Sequence, residues 1–162
     1  MSTNQELKKI VLDTLYIFLK PKQFKKIGSS FLSTKAEMKY FINLQRSQSS
    51  TAGSLKFTIN IEILSSSLFK LEDTSISEKD YRHFVRRIGF YIDPPHDKWW
   101  IIQNIDEANA SAEEIIEIIS NKVLPEFNKL KTTNDLAEMW RQNICTGITE
   151  KQRREYLSLI DK

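Results

Sequence analysis

Two segments of the chain alternate between apolar and polar residues with a period of two. They cover residues 40–47 and 56–63, and amide side chains occupy several of the polar positions. Successive side chains of a β-strand point to opposite faces of a sheet, so this period predicts a strand in each segment. A polar loop, residues 48–54, joins them. The loop predicts that the two strands pair antiparallel and share one polar face.

The parts of the chain around this pair show both helical and strand periodicity. Apolar residues spaced by three and four predict an amphipathic helix over residues 7–19, which Pro21 ends. Further short strands are predicted at residues 30–33, 81–92 and 98–103. The stretch 68–79 has no clear periodicity and stays unassigned.

Helix start signals dominate the sequence after the strands. Ser111 and Thr149 each precede a Glu or Gln by three residues, which is the spacing of a capping box. Thr133 or Asn134 is predicted to cap a helix between these two. Pro125 is predicted to kink or restart the helix that begins at Ser111.

This order of elements predicts an α+β fold. A run of strands followed by a run of helices is typical of an antiparallel sheet with helices on one face. We expect a single domain over residues 1–162, strand-rich at 29–104 and helical at 111–161. It would contain one antiparallel sheet of about four to five strands, packed on an N-terminal helix and about two to three C-terminal helices.

Cysteine content and hydropathy indicate a cytoplasmic protein. Cys145 is the only cysteine, which excludes a disulfide within the chain and favours a reducing compartment. The first residues lack the basic start and apolar core of a signal peptide. No apolar run approaches the ~20 residues that a membrane helix needs, so we expect no membrane segment.

Sequence signals for a metal, nucleotide or nucleophile site are weak. His83 and His96 are the only histidines and lack the spacing of a metal motif, and the four glycines are isolated. Cys145 lies near a predicted helix end, where packing explains it better than a reactive thiolate does. We therefore expect no metal, no cofactor and no catalytic residue.

The charge distribution permits an anionic partner without requiring one. The net charge of +3 is small, although residues 1–100 carry 16 Lys and Arg against 10 Asp and Glu. A nucleic-acid protein usually has a stronger basic bias and a recognisable module. The composition therefore disfavours nucleic acid as the partner.

The polar face of the alternating pair is the leading candidate for a binding surface. Amides and carboxylates offer both donors and acceptors, which suits another protein or a polar small molecule. The candidate binding residues are Asn43, Gln45, Arg46, Asn60, Glu62, Arg87, Trp99 and Trp100. Because Trp99 and Trp100 are neighbours in a predicted strand, at most one of them can lie against the core. The open alternative is an ordinary solvated face.

Two other functions stay open at the level of sequence. A small hydrolase-type enzyme would use Glu62 or His83 as a general base beside an arginine, if the fold brings them together. A binder of anionic polymers would use two groups of basic residues. These groups are Lys20, Lys22, Lys25 and Lys26, and Arg82, Arg86 and Arg87.

Several short motifs follow one another in a specific order. They are Phe24-Lys25-Lys26-Ile27-Gly28 with Phe31, Ile42-Asn43-Leu44-Gln45-Arg46-Ser47, Phe57-Thr58-Ile59-Asn60, Arg87-Ile88-Gly89 and Lys98-Trp99-Trp100. In this order they resemble a bacterial family known only as a domain of unknown function. The resemblance spans residues 7–105 and extends more loosely to residue 140. It implies a soluble bacterial protein, supplies no catalytic residue, and places the final helix outside the family's usual extent.

Overall fold

The two alternating segments form the central strands of an antiparallel sheet. The computed structural model describes residues 3–162, so the first two residues of the predicted domain, 1–162, lie outside the described range. The strands are β1 Lys25–Ile27, β2 Ser30–Lys35, β3 Met38–Arg46, β4 Leu55–Ser65, β5 Phe84–Arg87 and β6 Trp100–Ile102. The helices are α1 Asn4–Leu19, α2 Ser66–Leu71, α3 Ile105–Ile118, α4 Leu124–Lys129, α5 Thr133–Arg141 and α6 Glu150–Ile160.

The register of β3 against β4 fixes which side chains share a face of the sheet. Asn43 lies opposite Asn60, and Ile42 lies opposite Ile61. We call the side that carries Ile42 and Ile61 the inner face, and the side that carries Asn43 and Asn60 the outer face. The sheet order is β1-β2-β3-β4-β5, and β6 pairs with the first residues of β4, on the edge that also holds β5.

Helices α1 and α3 pack against each other and cover the inner face. Leu7, Val11 and Leu15 recur at helical spacing on α1, and all three are fully buried. Tyr16 of α1 stacks on Phe31 of β2, with ring centroids 6.1 Å apart. Each large apolar side chain buried here contributes about 1.5–3 kcal/mol. No helix within residues 3–162 combines the length and the apolar character that crossing a membrane requires.

The structure confirms the α+β class and adds detail to the predicted strands. The sheet has six strands, because the three residues of β1 form an edge strand too short for periodicity to reveal. Residues 81–92 were predicted as one strand. Within them, only β5 is a strand, and a 3₁₀ turn, Ile88–Tyr91, follows it. In that turn, a Cβ on Gly89 would lie 1.8 Å from the carbonyl oxygen of His96. Only glycine therefore allows this close approach.

The predicted helix start at Ser111 is wrong, because Ser111 lies inside α3. Asn104 precedes that helix, and its side chain accepts a hydrogen bond from the backbone N–H of Glu107 at 2.9 Å. The capping box predicted at Thr149 is confirmed. Thr132 caps α5, one residue before the predicted position.

Irregular helical turns account for the stretches in which the sequence pattern is unclear. One wide π-helical turn, Ile119–Val123, connects α3 to α4, and Pro125 lies in the first turn of α4. Proline has no N–H to donate, so a disturbed helix is the expected result at this point. The unassigned stretch 68–79 contains the end of α2 and the start of a 3₁₀ turn, Glu78–Asp80.

Glu37, in the turn between β2 and β3, links that turn to two helices. Its carboxylate accepts hydrogen bonds from the Ser67 hydroxyl at 2.6 Å and from the backbone N–H of Thr133 at 3.0 Å. The hydrogen bond from Ser67 is the largest cause that holds the pKa of Glu37 below its ordinary value, and the bond from Thr133 lowers this pKa further. A carboxyl whose pKa falls on folding stabilises the fold above its unfolded pKa. This contribution is lost as the pH falls through the folded pKa.

We expect Glu37→Gln to lower the free energy of unfolding by about 1 kcal/mol at about pH 7. The difference from the wild type should shrink as the pH is lowered from about pH 7 through the folded pKa of Glu37, because the carboxylate is then protonated in the folded protein as well. Urea unfolding followed by tryptophan fluorescence across this pH range measures it. Glu117→Gln, at an exposed position of α3, is the control and should change little. A difference that stays constant across the range would contradict the role assigned to Glu37.

Candidate functional site

The outer face brings together most of the binding residues predicted from the sequence. Gln45 of β3 and Arg87 of β5 are exposed there, beside the paired Asn43 and Asn60. Exposed aliphatic side chains, Ile27, Val85 and Ile101, lie on the same side of the sheet. Helices α1 and α3 pack on the opposite side, so these side chains are accessible to a partner.

The amides of the outer face bond to neighbours on the adjacent strand. Asn60 donates through Nδ2 to Oε1 of Gln45 at 2.7 Å. Asn43 donates through Nδ2 to Oε1 of Glu62 at 2.6 Å. Both bonds join diagonal positions of the β3 and β4 pair, a separation that long polar side chains span. The predicted face is therefore an ordered polar surface whose side chains hold one another in place.

Phe41, an aromatic residue among these polar side chains, lies beneath an arginine. The guanidinium carbon of Arg82 is 3.5 Å from the centroid of the Phe41 ring. Arg82 also donates through Nε to Oε1 of Glu62 at 3.0 Å. A guanidinium stacked on a ring and bonded to a carboxylate is fixed in orientation. Phe41 is therefore covered, and only 8% of it is exposed.

Trp99 forms the second aromatic centre of the outer face, together with Lys56, Arg87 and Asp97. We call these residues the Trp99 patch. Arg87 donates to both carboxylate oxygens of Asp97 at 3.1 Å, and its guanidinium carbon lies 4.9 Å from the Trp99 ring centroid. Trp99 donates through Nε1 to Asp97 at 3.0 Å, and the ammonium group of Lys56 lies 5.4 Å from the same ring. The hydrogen bond from Trp99 is the largest cause that lowers the pKa of Asp97, and the hydrogen bond from Arg87 is the second.

The length of β4 explains why Arg87 and Trp99 meet. β5 pairs with the second half of β4, and β6 pairs with its first residues. Arg87 ends β5 and Trp99 directly precedes β6, so both lie near the middle of β4. Thr58 of β4 donates its hydroxyl to the carbonyl oxygen of Lys98 at 2.7 Å, which fixes the segment that enters β6.

Two of the predicted binding residues, Trp100 and Arg46, do not lie on the outer face. Trp100 belongs to the inner face, where it stacks on Phe57 with ring centroids 5.7 Å apart and donates through Nε1 to Glu114 at 3.0 Å. Arg46 lies opposite Phe57 at the end of β3. Its side chain therefore points to the other side of the sheet from Asn43 and Gln45. It lines a separate cleft beside the first turn of α1.

His83 belongs to a buried cluster that the sequence did not predict. Its Nδ1 accepts the backbone N–H of Ser65 at 3.0 Å, and its Nε2 bonds to Glu72 at 2.7 Å. Glu72 also accepts from the Tyr81 hydroxyl, which lies 2.8 Å from the hydroxyl of Tyr156 on α6. Burial is the main cause that raises the pKa of both tyrosines. We call these residues, Ser65, Glu72, His83, Tyr81 and Tyr156, the His83 cluster.

Among residues 3–162, Glu62 and His83 make no hydrogen bond to each other. Glu62 bonds to Asn43 and Arg82 on the outer face, whereas both ring nitrogens of His83 are engaged within the His83 cluster. Because Nδ1 accepts the hydrogen bond from Ser65, the single proton of a neutral His83 ring lies on Nε2. Nε2 therefore donates its hydrogen bond to Glu72. No set of three or more His, Cys, Asp and Glu side chains in the described part of the chain is placed to hold a metal ion.

The basic residues considered for an anionic polymer do not form one surface. Arg86 points to the inner side, where it bonds to Glu126 at 2.8 Å and to the carbonyl oxygen of Cys145 at 2.9 Å. Its neighbour Arg87 belongs to the Trp99 patch on the outer side. Lys26 pairs with Asp13 of α1 at 3.3 Å. These charges are therefore divided between different sides of the fold. Carboxylates pair with Lys26, Arg82, Arg86 and Arg87, whereas Lys20, Lys22 and Lys25 have no carboxylate partner among residues 3–162.

Comparison with known proteins gives one family match. A family model with the description "Domain of unknown function (DUF4304)" matches residues 17–129. The matched range includes every residue of the outer face described above and ends before α5 and α6. Neither the curated proteins nor the solved structures give a match.

We expect His83→Ala to destabilise the protein by about 2–4 kcal/mol. The substitution leaves a cavity in a fully buried site, and it removes the partners of the Ser65 N–H and of Glu72. Urea unfolding near neutral pH measures the change. The matched control is His96→Ala at an exposed position, which should stay within about 0.5 kcal/mol of the wild type. Equal effects of the two substitutions would show that the cluster is not structural.

Proposed function

Since the chain belongs to the family described as a domain of unknown function (DUF4304), which carries no assigned activity, we propose a function from the geometry of the outer face. The protein is a non-catalytic interaction domain, and its outer face binds an acidic surface of another protein. The observation that carries this proposal is the Trp99 patch, in which an accessible tryptophan is ordered by Arg87 and Asp97.

Pre-ordering of these side chains supports a binding role. Binding a partner costs free energy for every long side chain that must be immobilised, about 0.5–1.5 kcal/mol each. Arg87 is already held by Asp97 and Trp99, and Gln45 is already held by Asn60. Tryptophan and arginine are also the residue types that most often dominate binding energy at protein interfaces.

The charge of the outer face supports an acidic partner. Basic side chains on this face outnumber the acidic side chains that lie beside them. The basic residues are Lys25, Lys39, Lys56, Arg82 and Arg87, and the acidic ones are Glu62, Glu78 and Asp97. An excess of one charge sign accelerates association with a partner of the opposite sign and selects against partners of the same sign.

Exposed aliphatic side chains support a protein partner over a small polar molecule. Ile27, Val85 and Ile101 are spread across the strands β1, β5 and β6, and each is at least 37% exposed. A small molecule would cover a single concave site, whereas a protein can cover a broad and nearly flat sheet face.

The proposal includes a location in the bacterial cytoplasm. The exposed thiol of Cys145 suits a reducing compartment, in which a single cysteine stays unpaired. Catalysis is not part of the proposal, because both general bases considered from the sequence are engaged in other bonds. Glu62 bonds to Asn43 and Arg82, and His83 has both ring nitrogens engaged in a buried cluster.

Photo-crosslinking in the native cell tests this proposal. A photoreactive phenylalanine analogue replaces Val85 or Ile101 on the outer face, or Ile17 or Glu117 as exposed control positions on α1 and α3. We expect both outer-face positions to capture the same protein and the control positions not to capture it. Absence of any adduct at positions 85 and 101, or the same adduct at all four positions, would contradict the proposal.

Titration of the captured protein with purified variants provides the second part of the test. Trp99→Ala and Lys56→Glu should each raise the dissociation constant about tenfold or more, which corresponds to about 1.4 kcal/mol. Arg154→Glu, a charge reversal at an exposed position of α6, is the control and should bind like the wild type. Unfolding temperatures verify that the variants fold. Wild-type affinity in both outer-face variants would overturn the proposal.

A further inference from the structure

A cavity on the inner side of the sheet shares no lining residue with the Trp99 patch. Its volume is about 710 Å³, and it is bounded by the turn after α1, the adjoining ends of β2 and β3, and helix α4. Binding sites for small organic molecules usually measure about 300–1,000 Å³. The cavity is therefore large enough for such a ligand.

Aromatic side chains form the apolar wall of this cavity. Phe24, Tyr40 and Phe127 line it, and the rings of Tyr40 and Phe127 are in contact with centroids 4.8 Å apart. The Tyr40 hydroxyl donates to the carbonyl oxygen of Leu130 at 2.7 Å, which fixes the ring in the wall. At most 5% of each of these residues is exposed, so the wall is rigid and offers a small apolar surface to a flat or aliphatic group.

The charged side chains that line the cavity are all cationic. They are Lys22, Lys35 and Lys131, and no Asp or Glu of the described range 3–162 lines the cavity. None of these three ammonium groups pairs with a carboxylate within the part of the chain that the structure describes. Two acidic residues that follow Lys35 and Lys131 in the sequence are engaged in other bonds: Glu37 with Ser67 and Thr133, and Asp135 with backbone N–H groups.

Ser33 provides an independent observation at this cavity. Only 1% of Ser33 is exposed, and its Oγ has no hydrogen-bond partner among residues 3–162. Ser33 lines the cavity and lies opposite Tyr40 in the register, and Lys35 follows two positions later on the same side of β2. A buried hydroxyl without a partner is costly and rare in folded proteins. It is the group that a ligand's acceptor oxygen would satisfy.

We propose that this cavity binds a small organic anion with an apolar body, such as an aromatic carboxylate. The carboxylate accepts a hydrogen bond from Ser33 and lies beside Lys35 and Lys131. The apolar body packs on Phe24 and Phe127. This site is separate from the outer face, so the inference does not depend on the proposed interaction function.

Calorimetric titration with 2-naphthoate and with its neutral analogue 2-naphthamide tests the charge requirement. The two probes have nearly the same shape, so only the charge and the donor pattern of the head group differ. We expect 2-naphthoate to bind about tenfold more tightly or better, and its affinity to fall as sodium chloride is added. Equal affinity of the two probes, or no binding of 2-naphthoate to the wild type, would overturn the proposal.

Variants with equal changes in net charge locate the site. The double variant Lys35→Gln and Lys131→Gln should weaken 2-naphthoate binding about tenfold or more. The control, Lys70→Gln with Lys122→Gln, removes two exposed lysines that do not line the cavity. It should bind like the wild type. Equal losses in both double variants would mean that the probe responds to overall charge, which contradicts a defined site.

Ser33→Ala separates a ligand-binding hydroxyl from a structural one. Because the Ser33 hydroxyl has no partner among residues 3–162, the ligand-free variant should unfold at the same or a higher temperature than the wild type. Binding of 2-naphthoate should weaken at the same time. A variant that binds like the wild type would overturn the role of Ser33, and a lower unfolding temperature would identify the hydroxyl as structural.

Discussion

The register of β3 against β4 is the constraint on which the rest of the structure depends. The pairing puts Ile42 opposite Ile61 on one face and Asn43 opposite Asn60 on the other. A slip of one residue would turn every apolar side chain of one strand to the outer face and every amide to the core. The same register therefore decides which surface α1 and α3 cover and which surface stays available to a partner.

A single long strand also organises the outer face. β4 pairs with β3 along one edge and with both β5 and β6 along the other. Because β5 and β6 pair with the same strand, Arg87 lies beside Trp99. At the other end of the face, the guanidinium group of Arg82 stacks on the Phe41 ring. In both places an arginine lies on an aromatic ring and bonds to a carboxylate. The outer face is thus a rigid surface that offers ordered cationic and aromatic groups.

Local patterns explain what could be predicted from the sequence. Period-two alternation is a property of neighbouring residues, so it identified the central strands and the residues of their polar face. The contact between Arg87 and Trp99 depends on two strands that share a third, which no local pattern reveals. Glu72 lies in a stretch without periodicity, so its bond to His83 was missed. The Asn104 cap was missed because capping-box spacing also occurs by chance inside a helix.

Hydroxyl-radical labelling of the protein inside its native cell, compared with the purified protein, tests the central claim most directly. That claim is that the outer face is covered by a partner. The account predicts that Val85, Trp99 and Ile101 are oxidised less in the cell than in the purified protein. Ile17, which is exposed on α1, should be oxidised equally in both. Equal oxidation of the three outer-face residues in the two samples would contradict the account.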